Sequence, residues 1–162
     1  MQSRVRGPIL SGTDPRSRFF PPFFMIGGVL AGVGLQQLRP LSFVPRTAGY
    51  WIGGGLIVAA LTLGVWAVLT FRRAGTTPDP RGDVTAFVTT GPFAFSRNPM
   101  YVTNVAFQVG AALVLDNAWI LMLAPVTWLL LDRIIIAGEE RYLADRYGGS
   151  YDAYRGLVRR WL

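Results

Sequence analysis

The chain contains no cysteine, no histidine and no lysine. Without cysteine there is no disulfide framework and no thiolate nucleophile. Without histidine there is no imidazole base, and the usual zinc and haem ligand sets are missing. No metal site is expected, and any reaction must run on carboxylates, hydroxyls, amides, arginine or a bound cofactor. The absence of lysine leaves 16 arginines to carry the whole basic side of a net charge of +7, a bias typical of coding in a GC-rich bacterium. Charge of either sign is scarce, at 15% of residues, and it falls in clusters between long apolar runs, so the clusters mark the loops.

What is abundant is apolar surface. Hydrophobic residues make up 51% of the chain and the mean hydropathy is +0.36. Lipid tolerates apolar residues all round a helix and water does not, so the composition predicts one membrane domain. A basic excess also suits nucleic acid, but these arginines flank apolar runs and match anionic lipid headgroups better. Membrane lipids are therefore the expected partners and nucleic acid is not; the oligomeric state is left open.

Four apolar runs predict an all-α integral membrane bundle of about four transmembrane helices followed by a C-terminal interfacial amphipathic helix. Residues 1–18 form a basic arm with Arg4, Arg6, Arg16 and Arg18. A first span covers 19–38, too long for a signal core and without a small-x-small cleavage site, with Pro21 and Pro22 in its first turn. A second span covers about 48–71, roughly 36 Å at 1.5 Å per residue. Gly28 and Gly32, and then Gly49 and Gly53, are spaced four apart, which predicts close helix approach in lipid.

Residues 72–99 form a long polar loop, the kind a compact protein keeps for function. A helical hairpin follows at 100–136, its turn at Asp116 and Asn117 and a kink expected at Pro125. The segment 137–162 then becomes amphipathic, with a break at Gly148 and Gly149. Beyond the break, Tyr151, Tyr154, Leu157, Val158, Trp161 and Leu162 are expected on one face of a helix lying at headgroup depth. With the N-terminus inside, fourteen arginines fall on the cytoplasmic side and only Arg39 and Arg46 face outward, so both termini are expected in the cytoplasm, at a bacterial inner membrane.

Both ends of the hairpin then open on the cytoplasmic side. The loop delivers Arg97, Asn98 and Tyr101 there, and the end of the fourth span delivers Asp132, Arg133, Glu139 and Glu140. Tyr101, Asn104 and Gln108, three and four apart, share one helix face that must meet protein, water or ligand, because unpaired polar groups in hydrocarbon are costly. Interhelical hydrogen bonding and a ligand pocket satisfy that need equally well. An acidic pair such as Glu139 and Glu140 is more often solvated or paired with arginine than functional.

The ordered set Phe87-Val-Thr-Thr-Gly-Pro-Phe-Ala-Phe-Ser-Arg-Asn-Pro-Met-Tyr101, Glu139-Glu140-Arg-Tyr-Leu and Tyr147-Gly-Gly-Ser-Tyr-Asp-Ala-Tyr154 resembles the membrane methyltransferases of the isoprenylcysteine carboxyl methyltransferase and phospholipid methyltransferase group. Thr76, Thr77 and Pro78 resemble the segment before it. The likeness runs from residue 74 to the end, while the first two spans match only as generic spans.

This resemblance implies an S-adenosylmethionine-dependent enzyme without a Rossmann domain, its cofactor pocket at the cytosolic ends of the last helices. It implies cofactor contacts at Asn98, Pro99, Met100 and Tyr101, a second contact region at Phe87, Val88 and Phe93, and an acidic pair at Glu139 and Glu140. Glu139 is expected on the cofactor, and Glu140 or Arg97 on a lipid-like or small amphiphilic methyl acceptor. Two positions depart from the pattern. Asn98 stands where histidine is frequent, which removes a base. Ile135 stands where the prenylcysteine branch carries a substrate arginine, with Arg133 two residues away. The alternative is a non-catalytic membrane scaffold whose polar stripe is interhelical glue. A transporter is disfavoured, because no ionisable residue sits at the centre of a span and no pair of broken helices repeats.

Overall fold

The structure, a computed structural model, describes residues 22–75 and 88–162. The basic arm, Pro21, Thr76, Thr77, Pro78 and Phe87 lie outside the described residues. Every described element is helical. Four apolar helices are α1 (Pro22–Leu38), α2 (Arg46–Arg73), α3 (Pro99–Val114) and α4 (Ala118–Leu130). A 3₁₀ turn at Gly91–Ala94 precedes α3; after α4 come a π segment, Leu131–Ile136, then α5 (Ala137–Tyr147) and α6 (Gly149–Leu157).

Two helices, not four, reach full membrane length: α2, with 28 residues, and the continuous Ala118–Tyr147 helix, with 30. The described α1 has 17 residues and α3 has 16, which at 1.5 Å per residue gives roughly 24–26 Å against a hydrocarbon core of about 30 Å. Sequence punctuation explains the short α3. Asn98 and Pro99 start it, Pro99 occupying the first turn where its missing amide costs nothing, and the Asp116–Asn117 turn ends it.

The bundle is apolar outside and small or polar inside. Only 17% of the apolar window of α2 is buried, the reverse of a core helix in a soluble protein. Trp51, Ile52, Val58 and Leu61 lie on its exposed side, while Gly49, Gly53, Ala60, Ala67 and Thr70 are buried. α3 is the central element, packed on α2, α4 and α1. The glycine spacing works as expected: a β-carbon on Gly53 would lie 2.7 Å from the Gly110 carbonyl oxygen, and one on Gly32 would lie 2.8 Å from the Ile120 amide.

At the end of the bundle away from Arg97, the connections are tied by side chains. Asp116, at φ 45°, accepts from the amides of Phe43 (2.8 Å) and Val44 (3.0 Å). Asn117 caps α4 by accepting from the Ile120 amide at 3.1 Å and donates to the Gly32 carbonyl at 3.1 Å.

Two expectations are corrected at the other end. Pro125 lies inside α4, but the departure from α geometry comes further on, over Leu131–Ile136. The amphipathic face expected from Tyr151 to Leu162 is not one helix face. α6 ends at Leu157, and Val158 is extended at φ −118°, ψ 132°, because the backbone beyond it is drawn into hydrogen bonds with the loop before α3. Tyr151 and Tyr154 are buried against protein, while Leu157 is exposed.

Candidate active site

The loop before α3 and the helix after α4 meet. The Tyr101 hydroxyl donates to Glu139 Oε1 at 2.7 Å. Four positions earlier, Arg97 Nη1 lies 3.2 Å from Glu140 Oε1. Stretches separated by a membrane hairpin therefore share one site, as the hairpin topology requires.

Each part has a local cause. The 3₁₀ turn is fixed by Phe93, whose buried ring meets Phe71 of α2 edge-on at 4.8 Å and whose carbonyl accepts from the Tyr154 hydroxyl at 2.6 Å. Burial pushes the Tyr154 phenol up to about 12. Gly91, at φ 63°, lets the loop pass Thr70, since a β-carbon there would stand 2.9 Å from the threonine hydroxyl. The Asn98 carbonyl then accepts from the amides of Tyr101 and Val102 at 3.0 and 3.1 Å, opening α3. Pro99 is buried, Met100 and Val88 are half-buried, and Tyr101 is 7% exposed.

On the other side, the π segment turns two sets of side chains inward. Leu131, Ile135 and Ile136 pack with Tyr101 in an apolar cluster that Phe24, Val105 and Trp161 complete. Asp132 is buried beside it. Widened π turns of this kind recur where a helix must re-aim side chains at a site. Ile135 thus sits in the apolar cluster, and Arg133 points away, its side chain 76% exposed and 3.7 Å from Asp132.

The carboxylates differ in how they are matched. Glu140 takes both Nε (3.2 Å) and Nη2 (2.5 Å) of Arg160 in addition to its contact with Arg97. Asp132 takes Arg160 Nη1 at 3.2 Å and the Trp161 indole at 2.9 Å. Glu139 is held by Tyr101 and pairs with no cation among the described residues. Arg97 is ion-paired with Glu140 through Nη1 and meets the Tyr151 hydroxyl, but its Nε is buried without a hydrogen-bond partner. Buried donors left open are costly and rare.

The polar stripe of α3 divides. Tyr101 reaches the site, whereas Gln108, fully buried, donates to the Ile120 carbonyl at 3.3 Å as interhelical glue, its Oε1 without a partner. Asn104 is half-buried between them. A surface hollow lined by Arg46, Thr47, Tyr50 and Trp51 lies at the start of α2, at the far end of α3 from this chemistry.

A family model described as phospholipid methyltransferase (PEMT) matches residues 48–150. The chain belongs to the phospholipid methyltransferase family. No curated protein and no solved structure matches it. The match takes in α2, which on sequence alone is a generic span, and runs through the hairpin and α5 to the start of α6. This phospholipid methyltransferase family member is thus a membrane methyltransferase by family, with its two matched motif regions in contact.

Three side chains that build the site are not assigned to it by the sequence. Arg160 and Trp161 reach Asp132, and Arg160 reaches Glu140; Tyr154 fixes Phe93. Charge complementarity is the available signal: an acidic excess at Asp132, Glu139 and Glu140 with an arginine pair at Arg159 and Arg160 near the end of the sequence.

Proposed function

We propose that this protein is a four-pass enzyme of a bacterial inner membrane, both termini cytoplasmic, that uses S-adenosylmethionine to methylate a lipid-like or small amphiphilic acceptor at the cytoplasmic face. The two full-length helices would carry the shorter α1 and α3 across with local thinning, α3 being enclosed by α1, α2 and α4. The observation that carries the enzymatic reading is the division of charge: Glu139 has no cationic partner among the described residues, and Arg97, ion-paired through Nη1 with the adjacent Glu140, keeps its buried Nε without a hydrogen-bond partner.

Those groups fit the cofactor's chemistry. S-adenosylmethionine, when bound, supplies a methyl group on a positively charged sulfur, and it carries an ammonium and ribose hydroxyls besides. Glu139 would hold a cationic or hydroxyl group of it, with Tyr101 fixing the carboxylate. Asn98, Pro99 and Met100 would line its amino-acid or adenosine portion, with Phe87, Val88 and Phe93 forming the second contact region. Arg97, steadied by Glu140, would orient the acceptor through an oxygen of its headgroup.

Methyl transfer is an in-line displacement, so alignment and exclusion of water are the protein's main tasks. Glu140, already bonded to two arginines, is poorly placed to take a proton. Glu139 would be engaged by Tyr101 and the cofactor, so an amine acceptor would react in its unprotonated form and release its proton to water. An apolar acceptor tail would enter sideways from lipid while the cofactor arrives from the cytosol.

A non-catalytic scaffold has one observation in its favour: Tyr101 and Glu139 touch directly, tying α3 to α5. A scaffold, however, gives no account of a Glu139 without a cation or of the unpartnered Nε of Arg97. Calorimetry of the purified chain with S-adenosylhomocysteine decides between them. Binding that is weakened at least tenfold by Glu139→Ala and by Tyr101→Ala supports the enzyme; no binding by the wild-type chain ends the assignment.

A further inference from the structure

Beyond α6, residues 158–162 run as a non-helical strap between the loop before α3 and the helix after α4. Toward the loop, the strap offers backbone oxygens. The Arg97 amide donates to the Arg159 carbonyl at 2.9 Å, and Asn98 Nδ2 donates to the Arg160 carbonyl at 2.9 Å, with the Ser96 hydroxyl at 3.5 Å from the same oxygen. Toward the helix, it offers side chains. The Arg160 guanidinium spans Glu140 and Asp132, and the Trp161 indole donates to Asp132 while its ring lies 5.8 Å from that of Trp128. A single residue, Arg160, therefore bonds both halves of the site, through its carbonyl on one side and its guanidinium on the other.

The strap lies outside the residues matched by the family model, 48–150. Its chemistry nonetheless sets the state of groups inside the match. Glu140 and Asp132 are nearly enclosed, with side chains 12% and 11% exposed, and buried carboxylates without partners would be strongly destabilising. Arg160 neutralises both in one planar fork, the geometry in which arginine outperforms lysine. Because Glu140 is satisfied by Arg160, it does not draw Arg97 into a full hydrogen-bonded pair: Arg97 Nη1 is ion-paired with Glu140 at 3.2 Å, yet Nε makes no hydrogen bond.

We infer that Arg160 is a positioning residue of the active site: it clamps Asn98 against Glu140 and keeps the Arg97 guanidinium available to a ligand oxygen. This inference rests on the reading of the site as a cofactor and acceptor pocket. Without the Arg160 fork, Glu140 closes on Arg97, the open Nε is filled from within, and the loop carrying Asn98 loses its register against the helix.

The test uses the full chain in lipid nanodiscs. Because the chain has no native cysteine, spin labels on Ala94→Cys and Asp145→Cys report the distance between loop and α5 with no background. Arg160→Gln is expected to broaden that distance distribution and to weaken S-adenosylhomocysteine binding about tenfold, as loss of a charged hydrogen-bonded pair would. Arg160→Lys restores the charge without the fork and is expected to recover part of both. Trp161→Phe, which leaves Arg160 in place and removes only one bond to Asp132, gives a smaller change in the same direction should Arg160→Gln fail to fold. An unchanged distance distribution with affinity within twofold of wild type in Arg160→Gln overturns the inference. A wild-type chain that does not bind S-adenosylhomocysteine ends the functional reading, while the distance measurement still decides the clamp.

Discussion

The Tyr101 phenol donates to the Glu139 carboxylate across 2.7 Å, joining α3 to α5 over an interval of 38 residues. Tyr101 is buried and Glu139 half-buried, so the bond counts for more than a surface pair would. Tyr101→Phe keeps the ring in its apolar cluster and removes only the donor. Loss of a hydrogen bond to a charged group costs about 1.5–3 kcal/mol. Reversible unfolding in mixed detergent should show that loss. The double variant Tyr101→Phe with Glu139→Gln should be less destabilised than the sum of the singles, since residues in one hydrogen bond are not additive. Additivity within about 0.5 kcal/mol, the margin found for independent sites, would mean the two groups do not interact.

Gly53 and Gly54 adjoin on α2 but face different surroundings. A β-carbon on Gly53 meets the Gly110 carbonyl at 2.7 Å and Leu113 Cβ at 2.8 Å, whereas one on Gly54 meets nothing within 4 Å. Gly53→Ala should therefore force α2 from α3 and cost about 1–3 kcal/mol. Gly54→Ala gains helix propensity of up to about 1 kcal/mol and should be neutral or stabilising. Thermal unfolding of the two variants in the same detergent checks the contrast; equal effects would remove the close crossing as a stabilising feature.

Much of this arrangement was legible in sequence, and the parts that were not have physical reasons. The apolar runs placed α2 and α3 to within a few residues, because Arg72, Arg73, Pro99 and the Asp116–Asn117 turn are chemically distinct stops. Convergence of Arg97 and Tyr101 with Glu139 and Glu140 followed from hairpin topology alone. The π segment was invisible because Leu131 to Ile136 have no pattern that separates one extra residue per turn from a regular α-helix. The strap was invisible for a different reason. It acts through carbonyls of Arg159 and Arg160, which every residue possesses, and the amphipathic spacing beyond Gly149 reads as a continuing helix.

Two groups outside the spans contribute to the pH dependence of the fold, one at each limit. Hydrogen bonds from the amides of Phe43 and Val44 hold the Asp116 carboxyl below the usual carboxylate range. A depressed folded-state value contributes stability that is present above the unfolded-state value and is lost as pH falls through the folded one, so the Asp116 contribution fades below about pH 4. At the other limit, burial raises Tyr154 to about 12. Its contribution is complete below the unfolded value near 10 and is lost as pH rises toward 12. Asp116→Asn should flatten the acid limb of a melting-temperature profile and leave the alkaline limb; Tyr154→Phe should do the reverse. A profile unaltered by either variant at its own limit would contradict the assignment.

The surroundings of residues 133–135 bear on the acceptor. The resemblance implies an arginine at position 135 for a prenylcysteine carboxylate, but Ile135 is buried in the apolar cluster with Tyr101, Leu131 and Ile136, Arg133 is turned outward, and the nearby Arg97 and Arg160 are both engaged with Glu140. An exposed arginine 3.7 Å from its carboxylate is worth little, so Arg133→Ala should leave both stability and turnover near wild type. Labelled S-adenosylmethionine added to membranes containing the protein should then place its methyl group in the lipid extract, with an amine headgroup as the leading acceptor, and leave a prenylcysteine analogue unlabelled. Arg97→Lys keeps a charge and loses the planar donors, so it should raise the KM for the lipid acceptor with a smaller change in kcat. Label appearing in the prenylcysteine analogue, and lost in Arg133→Ala, would reverse the choice of acceptor and bring Arg133 into the site.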